Sequence, residues 1–136
     1  MEAQLVALIN LTAELAKLKA LQGLTPQTTL AEGEGLALLA PYRDSAILAF
    51  KLSGKTAWER HPGGEASVQV VEGTVILNMV TDDAPPQSFE VGAGMMAIVP
   101  KGVWHRAHFL DGTTLISVTP GQTEYVPLDV DDPRTV

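Results

Sequence analysis

Beyond residue 30 the chain sets short runs of valine, isoleucine, leucine and threonine between glycine, proline, aspartate and asparagine, at intervals of about ten residues. That rhythm leaves room for strands and turns and for almost nothing else. It predicts strands over 36–39, 46–52, 56–60, 67–71, 74–80, 88–91, 95–99, 105–109, 113–119 and 123–126. Ten short strands with no second helix predict an all-β barrel or sandwich, which removes most exposed sheet edges. Glu72 with Gly73, and Asp111 with Gly112, are expected to form tight hairpins. The proline- and aspartate-rich run 81–87, with Asp82 and Asp83, reads as a solvated loop.

The first stretch is different. Leu5, Leu8, Leu11, Leu15 and Leu18 recur three and four apart, so an amphipathic helix is expected over residues 1–24, stopped by Gly23 and Pro26. Its leucine stripe could pack on its own barrel or on a partner subunit. The barrel is expected over 25–126, and residues 127–136 read as a frayed acidic tail. With 136 residues there is material for one core.

Charge and composition narrow the chemistry. Nine Lys and Arg against sixteen Asp and Glu give a net charge of -7, the wrong sign for a nucleic-acid partner. The absence of cysteine removes disulfides, thiolate nucleophiles and sulfur-ligated metals. Carboxylates, histidines or a non-sulfur metal site must carry any chemistry. The start of the chain has no basic segment, and Glu14, Lys17 and Lys19 interrupt its apolar stretch, so no secretory signal and no membrane span are expected. A cytoplasmic location is the expectation.

Two nucleotide-binding patterns fail on context. Gly92, Gly94 and Ala97 satisfy G-x-G-x-x-A, but a strand follows where that motif needs a helix N-terminus. Gly54, Lys55 and Thr56 resemble the end of a phosphate loop, with Ala49 in place of its first glycine. Both read as turns, and no serine sits in a nucleophile-elbow context.

The most informative segment runs from 94 to 105, where Gly94, Pro100, Gly102 and His105 spell G-x5-P-x-G-x2-H. This resembles the second motif of the cupin superfamily. Upstream, Gly54 precedes a strand, His61 fits the second histidine of the first cupin motif, and Gly73 fits its closing glycine. The resemblance implies a double-stranded β-helix, the jelly-roll barrel, over about 36–120, preceded here by an N-terminal α-helix. It also implies a homodimer, a small-molecule ligand in the barrel mouth and one divalent ion, iron, manganese, zinc or nickel. Were the chain an enzyme, a metal-dependent dioxygenase, isomerase or decarboxylase is what the resemblance implies, the ion polarising a substrate oxygen or activating oxygen or water.

The residues lead to a similar place without the family. His61 ends one strand and His105 begins another, and inward positions of neighbouring strands in a small barrel can converge. Strand alternation points Glu59 the same way as His61, which makes a set of two histidines and one carboxylate suited to such an ion. This chain departs from the family at Glu59, where a histidine is usual, and at Ala66, where a glutamate is usual and Glu65 stands one place off. Glu65 could substitute if the turn at Pro62, Gly63 and Gly64 shifts register. Gln69, Met96, Ile98 and Phe109 are candidate pocket residues, Phe109 as an apolar floor where the family often has asparagine. His108, Arg60 and Arg106 should face outward by parity, and Trp58 and Trp104 should pack against the helix or a neighbouring subunit. Two other readings stay open: a metal-free sensor or binding module whose histidines bond backbone or water, and a mainly structural dimer.

Overall fold

The computed structural model describes residues 6–81 and 83–136, so Glu2 and Leu5 of the expected helix and Asp82 of the loop lie outside the described residues. In chain order the elements are helix α1 (Leu11–Ala16) and strands β1 (Leu21–Leu24), β2 (Leu36–Tyr42), β3 (Ser45–Lys55), β4 (Trp58–Arg60), β5 (Ala66–Met79), β6 (Gln87–Gly92), β7 (Met96–Val99), β8 (His105–Pro120) and β9 (Glu124–Val126). A 3-10 turn at Pro133–Thr135 closes the chain.

β5 and β8 organise everything else. They pair antiparallel from Ser67 against Val118 to Met79 against His105. Their first partners form one layer, β2–β3–β8–β5–β7, and past a shared bend the order becomes β6–β5–β8–β4–β9. The two layers fold over one core that includes Leu52, Val70 and Leu115 from one side and Val75, Leu77 and Phe109 from the other. This is the expected all-β jelly roll.

The bend replaces two expected hairpins. Glu72 and Gly73 lie inside β5, Asp111 and Gly112 inside β8, and the pairing shifts register on both sides of Glu72. Four predicted strands therefore merge into two. Strand-forming runs flanking a Glu-Gly or Asp-Gly pair fit a hairpin and a bulged corner equally well, and only long-range pairing separates them. Thr113, fully buried, locks the corner: its hydroxyl lies 2.7 Å from the carbonyls of both Thr74 and Leu110 and accepts from the Thr74 N–H at 3.2 Å. Gly73 has φ +86°, and a Cβ there would stand 2.8 Å from the Thr113 hydroxyl and 2.9 Å from its Cα.

The N-terminal region corrects a second expectation. Among the described residues the helix is confined to Leu11–Ala16, capped by the Asn10 side chain, and none of its residues is buried. Leu21–Leu24, expected as its end, is instead a strand parallel to β3. Pairing and burial of Leu24 override the local leucine periodicity. The close approach depends on Gly54, at φ +119°, where any Cβ would collide with the Leu24 backbone.

The C-terminal segment is tied down rather than frayed. The Trp58 indole donates to the Val130 carbonyl at 2.8 Å, and Arg106 donates to the same carbonyl at 2.8 Å and to Asp129 at 3.3 Å. Trp58 is wholly buried under this strap, with the Arg106 guanidinium 4.7 Å over its ring. Its cover comes from the chain's own tail, in place of the expected helix or neighbouring subunit. Among the described residues no helix is long and apolar enough to cross a membrane.

Candidate metal centre

Glu59 is the middle residue of β4 and pairs with His105 on one side and Tyr125 on the other. Directly paired residues share a face of the sheet, and His61, two residues on, keeps that parity. Three side chains from two separate motifs thereby meet. Glu59 Oε1 lies 3.2 Å from His105 Nε2 and 3.7 Å from His61 Nε2, and the imidazole centroids are 5.1 Å apart. One ligand atom from each of the three falls within 4.8 Å of the others.

The glycine-proline motif supplies the scaffold. The Val103 N–H donates to the Pro100 carbonyl at 3.2 Å, and the Gly102 N–H donates to the His61 carbonyl at 3.0 Å, joining the two loops that carry the histidines. His105 Nδ1 lies 3.0 Å from the Val103 carbonyl. His61 Nδ1 lies 3.3 Å from the Gln122 carbonyl and 3.0 Å from the Thr123 hydroxyl. The carbonyl opposite His105 Nδ1 only accepts, so that nitrogen carries a proton, while His61 Nδ1 faces both a carbonyl and a hydroxyl; both rings turn Nε2 toward Glu59. Burial, with the neighbouring His105 adding to it, lowers the pKa of His61 from 6.5 against the opposing pull of Glu59 and the Gln122 carbonyl.

The triad opens on a cavity of about 550 Å³. Its walls come from both layers, with Leu48, Phe50, Leu52 and Leu115 from one and Leu77 and Phe109 from the other. Of the expected pocket residues, Phe109 lines this space. Glu65, Gln69, Met96 and Ile98 do not. Ala66 pairs with Val99 and points inward, so Glu65 is one residue out of phase and exposed, beside a separate surface hollow with Arg43 and Gly121. Gln69 pairs with Met96 and Ser67 with Ile98, all on the outer face, leaving Met96 58% and Ile98 51% exposed. Parity alone decides this: Val68 and Ala97, their neighbours, pack against the core. Arg60 and Arg106 face outward as expected, Arg60 bonding Glu124 at 2.7 Å and lying 4.7 Å over the Trp104 ring. His108, opposite Ile76, keeps their parity.

Sequence reasoning missed the residues that orient His61: Gln122 acts through its carbonyl, which carries no side-chain signal, and Thr123 through a hydroxyl that only the fold brings beside the ring. It also missed the segment from Leu24 to Leu30, divided between the end of the expected helix and the start of the barrel, which forms one side of the cavity. Gln27 fastens that segment to the far side by donating to the Pro127 carbonyl at 2.6 Å.

A double-stranded β-helix with histidines and a carboxylate inside it defines a cupin. Residues 47–124 match the Cupin_2 family model, described as a cupin domain, and the chain belongs to that family. No curated protein matches it. Among solved structures, a cupin-2 domain containing protein from Shewanella frigidimarina is 21% identical with a TM-score of 0.59, over 85% of this chain and 96% of that one. Protein NMB1881 from Neisseria meningitidis is 23% identical with a TM-score of 0.61, over 84% and 99%. A hydroquinone 1,2-dioxygenase, PnpCD, solved with Cd2+ and 4-hydroxybenzonitrile, is 14% identical with a TM-score of 0.55, over 73% and 69%. At these identities the likeness is one of fold.

Proposed function

We propose that this cupin binds a small molecule in its barrel cavity over a single divalent metal ion held by Glu59, His61 and His105. One observation carries the reading: the Nε2 atoms of His61 and His105 and a carboxylate oxygen of Glu59 converge on one small space, with both Nδ1 atoms engaged from behind by backbone carbonyls. A single proton can bridge one imidazole to Glu59, but it leaves the other Nε2 facing a carboxylate. A divalent cation satisfies all three. Two imidazoles and one carboxylate leave further positions open, which suits an ion that also takes an outside ligand. When bound, such an ion acts as a Lewis acid on a ligand oxygen. The protein's own part is to hold the imidazoles in place, to keep His61 neutral through burial, and to shield the site with an apolar wall.

A metal-free binding module is the second reading, favoured by Ala66, a methyl group lining the cavity where the family usually offers a fourth ligand. Elemental analysis of protein purified without added metal, together with cobalt(II) titration followed by visible absorption, separates the two. Near-stoichiometric metal is expected, lost from His61→Ala and His105→Ala and weakened by about a hundredfold in Glu59→Gln. Folded protein that is empty and fails to take up cobalt would refute the metal reading.

A further inference from the structure

The cavity's charge inventory restricts what can enter it. Among the described residues lining it none is a lysine or an arginine, and Glu59 is the sole carboxylate. Arg60 and Arg106, nearest in sequence to the triad, face outward and are bonded to Glu124 and Asp129. A ligand with an ionised group away from the triad would lose that group's hydration without gaining a cationic partner, which disfavours its binding. The body of the ligand must therefore be uncharged.

The head is a different case. A divalent ion offset by Glu59 leaves one positive charge in an apolar cavity, and one negative oxygen on the ligand neutralises it. A carboxylate head would bring about four lone-pair sites into a lining whose described donors are neutral, the hydroxyls of Thr56, Ser117, Thr119, Thr123 and Tyr125 among them, and neutral donors meet an ionised group less strongly than a cation does. A hydroxyl oxygen brings fewer such sites. Among hydroxyls, a phenol ionises near pH 10, and a neighbouring cation lowers that further, whereas an alkanol stays protonated. The walls agree, since Phe50 on β3, Phe109 on β8 and Tyr125 on β9 offer aromatic contact from three strands.

Resting on the metal reading above, we infer that the ligand class is a phenol with an uncharged aromatic or alkyl-aromatic body, its hydroxyl oxygen at the Glu59–His61–His105 end. Dicarboxylates and other doubly charged acids are excluded from the cavity.

The test uses cobalt-loaded full-length protein, with cobalt uptake recorded first. Four probes are titrated by calorimetry and visible absorption: 4-propylphenol, 3-phenylpropanoate, propylbenzene and glutarate. 4-Propylphenol should alter the cobalt spectrum and bind at least about tenfold tighter than each of the others. The variant Leu48→Lys, which places an ammonium in the wall away from the ligands, should keep cobalt binding and weaken 4-propylphenol by about tenfold or more. Cobalt uptake with equal or tighter binding of either carboxylate would overturn the ligand class alone. Unchanged phenol binding in Leu48→Lys would overturn the placement in this cavity, and absence of cobalt uptake by the wild type would overturn both readings.

Discussion

At the scale of single residues, His61 links protonation to both stability and metal capture. Its pKa lies below 6.5 in the folded chain because burial disfavours the imidazolium. A histidine lowered in this way contributes its stability in full above the unfolded value and loses it as the pH falls through the window beneath 6.5, where the unfolded chain takes up the proton first. Metal-free protein should therefore show a melting temperature that drops as the pH is lowered through that window, and an NMR titration should give His61 a midpoint below 6.5. A midpoint above 6.5 would mean that the pull of Glu59 outweighs burial. Glu59 itself shows what one residue's parity can do: one step along β4 in either direction stand Trp58, under the C-terminal strap, and Arg60, paired with Glu124 outside the barrel.

Among elements, the bent strands β5 and β8 hold the two layers together, and Gly73 is where a side chain cannot be accommodated. Gly73→Ala would press a methyl group against Thr113 at a positive φ, and urea denaturation should register a loss of about 2 kcal/mol or more. A change of under a few tenths would show that the corner relaxes freely. The C-terminal strap is the second element with a measurable role. Deleting residues 127–136 uncovers Trp58, so in a Trp104→Phe background its fluorescence should shift to the red, and stability should fall by about 1–3 kcal/mol for the lost indole and guanidinium bonds. An unshifted emission would show that something else covers the indole.

For the whole molecule, the site draws on both layers, so a bound ion should stabilise the entire fold. Free zinc at a hundredfold excess over its dissociation constant is expected to add about 2.7 kcal/mol, read as a rise in melting temperature that a chelator reverses. His105→Ala should lose the rise. If zinc raised the midpoint of His105→Ala as much as that of the wild type, the ion would be sitting elsewhere.

Local chemistry alone determined the class of fold and the identity of the triad. The rhythm of β-formers and turn residues marks an all-β fold, though not its strand count, and Gly94, Pro100, Gly102 and His105 at cupin-motif spacing and the alternation of Glu59 with His61 are short-range features that hold in the folded chain. Tertiary structure decided the rest. Whether Glu72 and Gly73 turn the chain or merely bend it depends on where β8 lies, forty residues away at Thr113. Whether Leu21 to Leu24 continues a helix or becomes a strand depends on the open space above Gly54. Which of Val68 and Gln69, or of Ala97 and Met96, enters the cavity depends on register, and a shift of one residue exchanges the two faces of a strand without altering its composition.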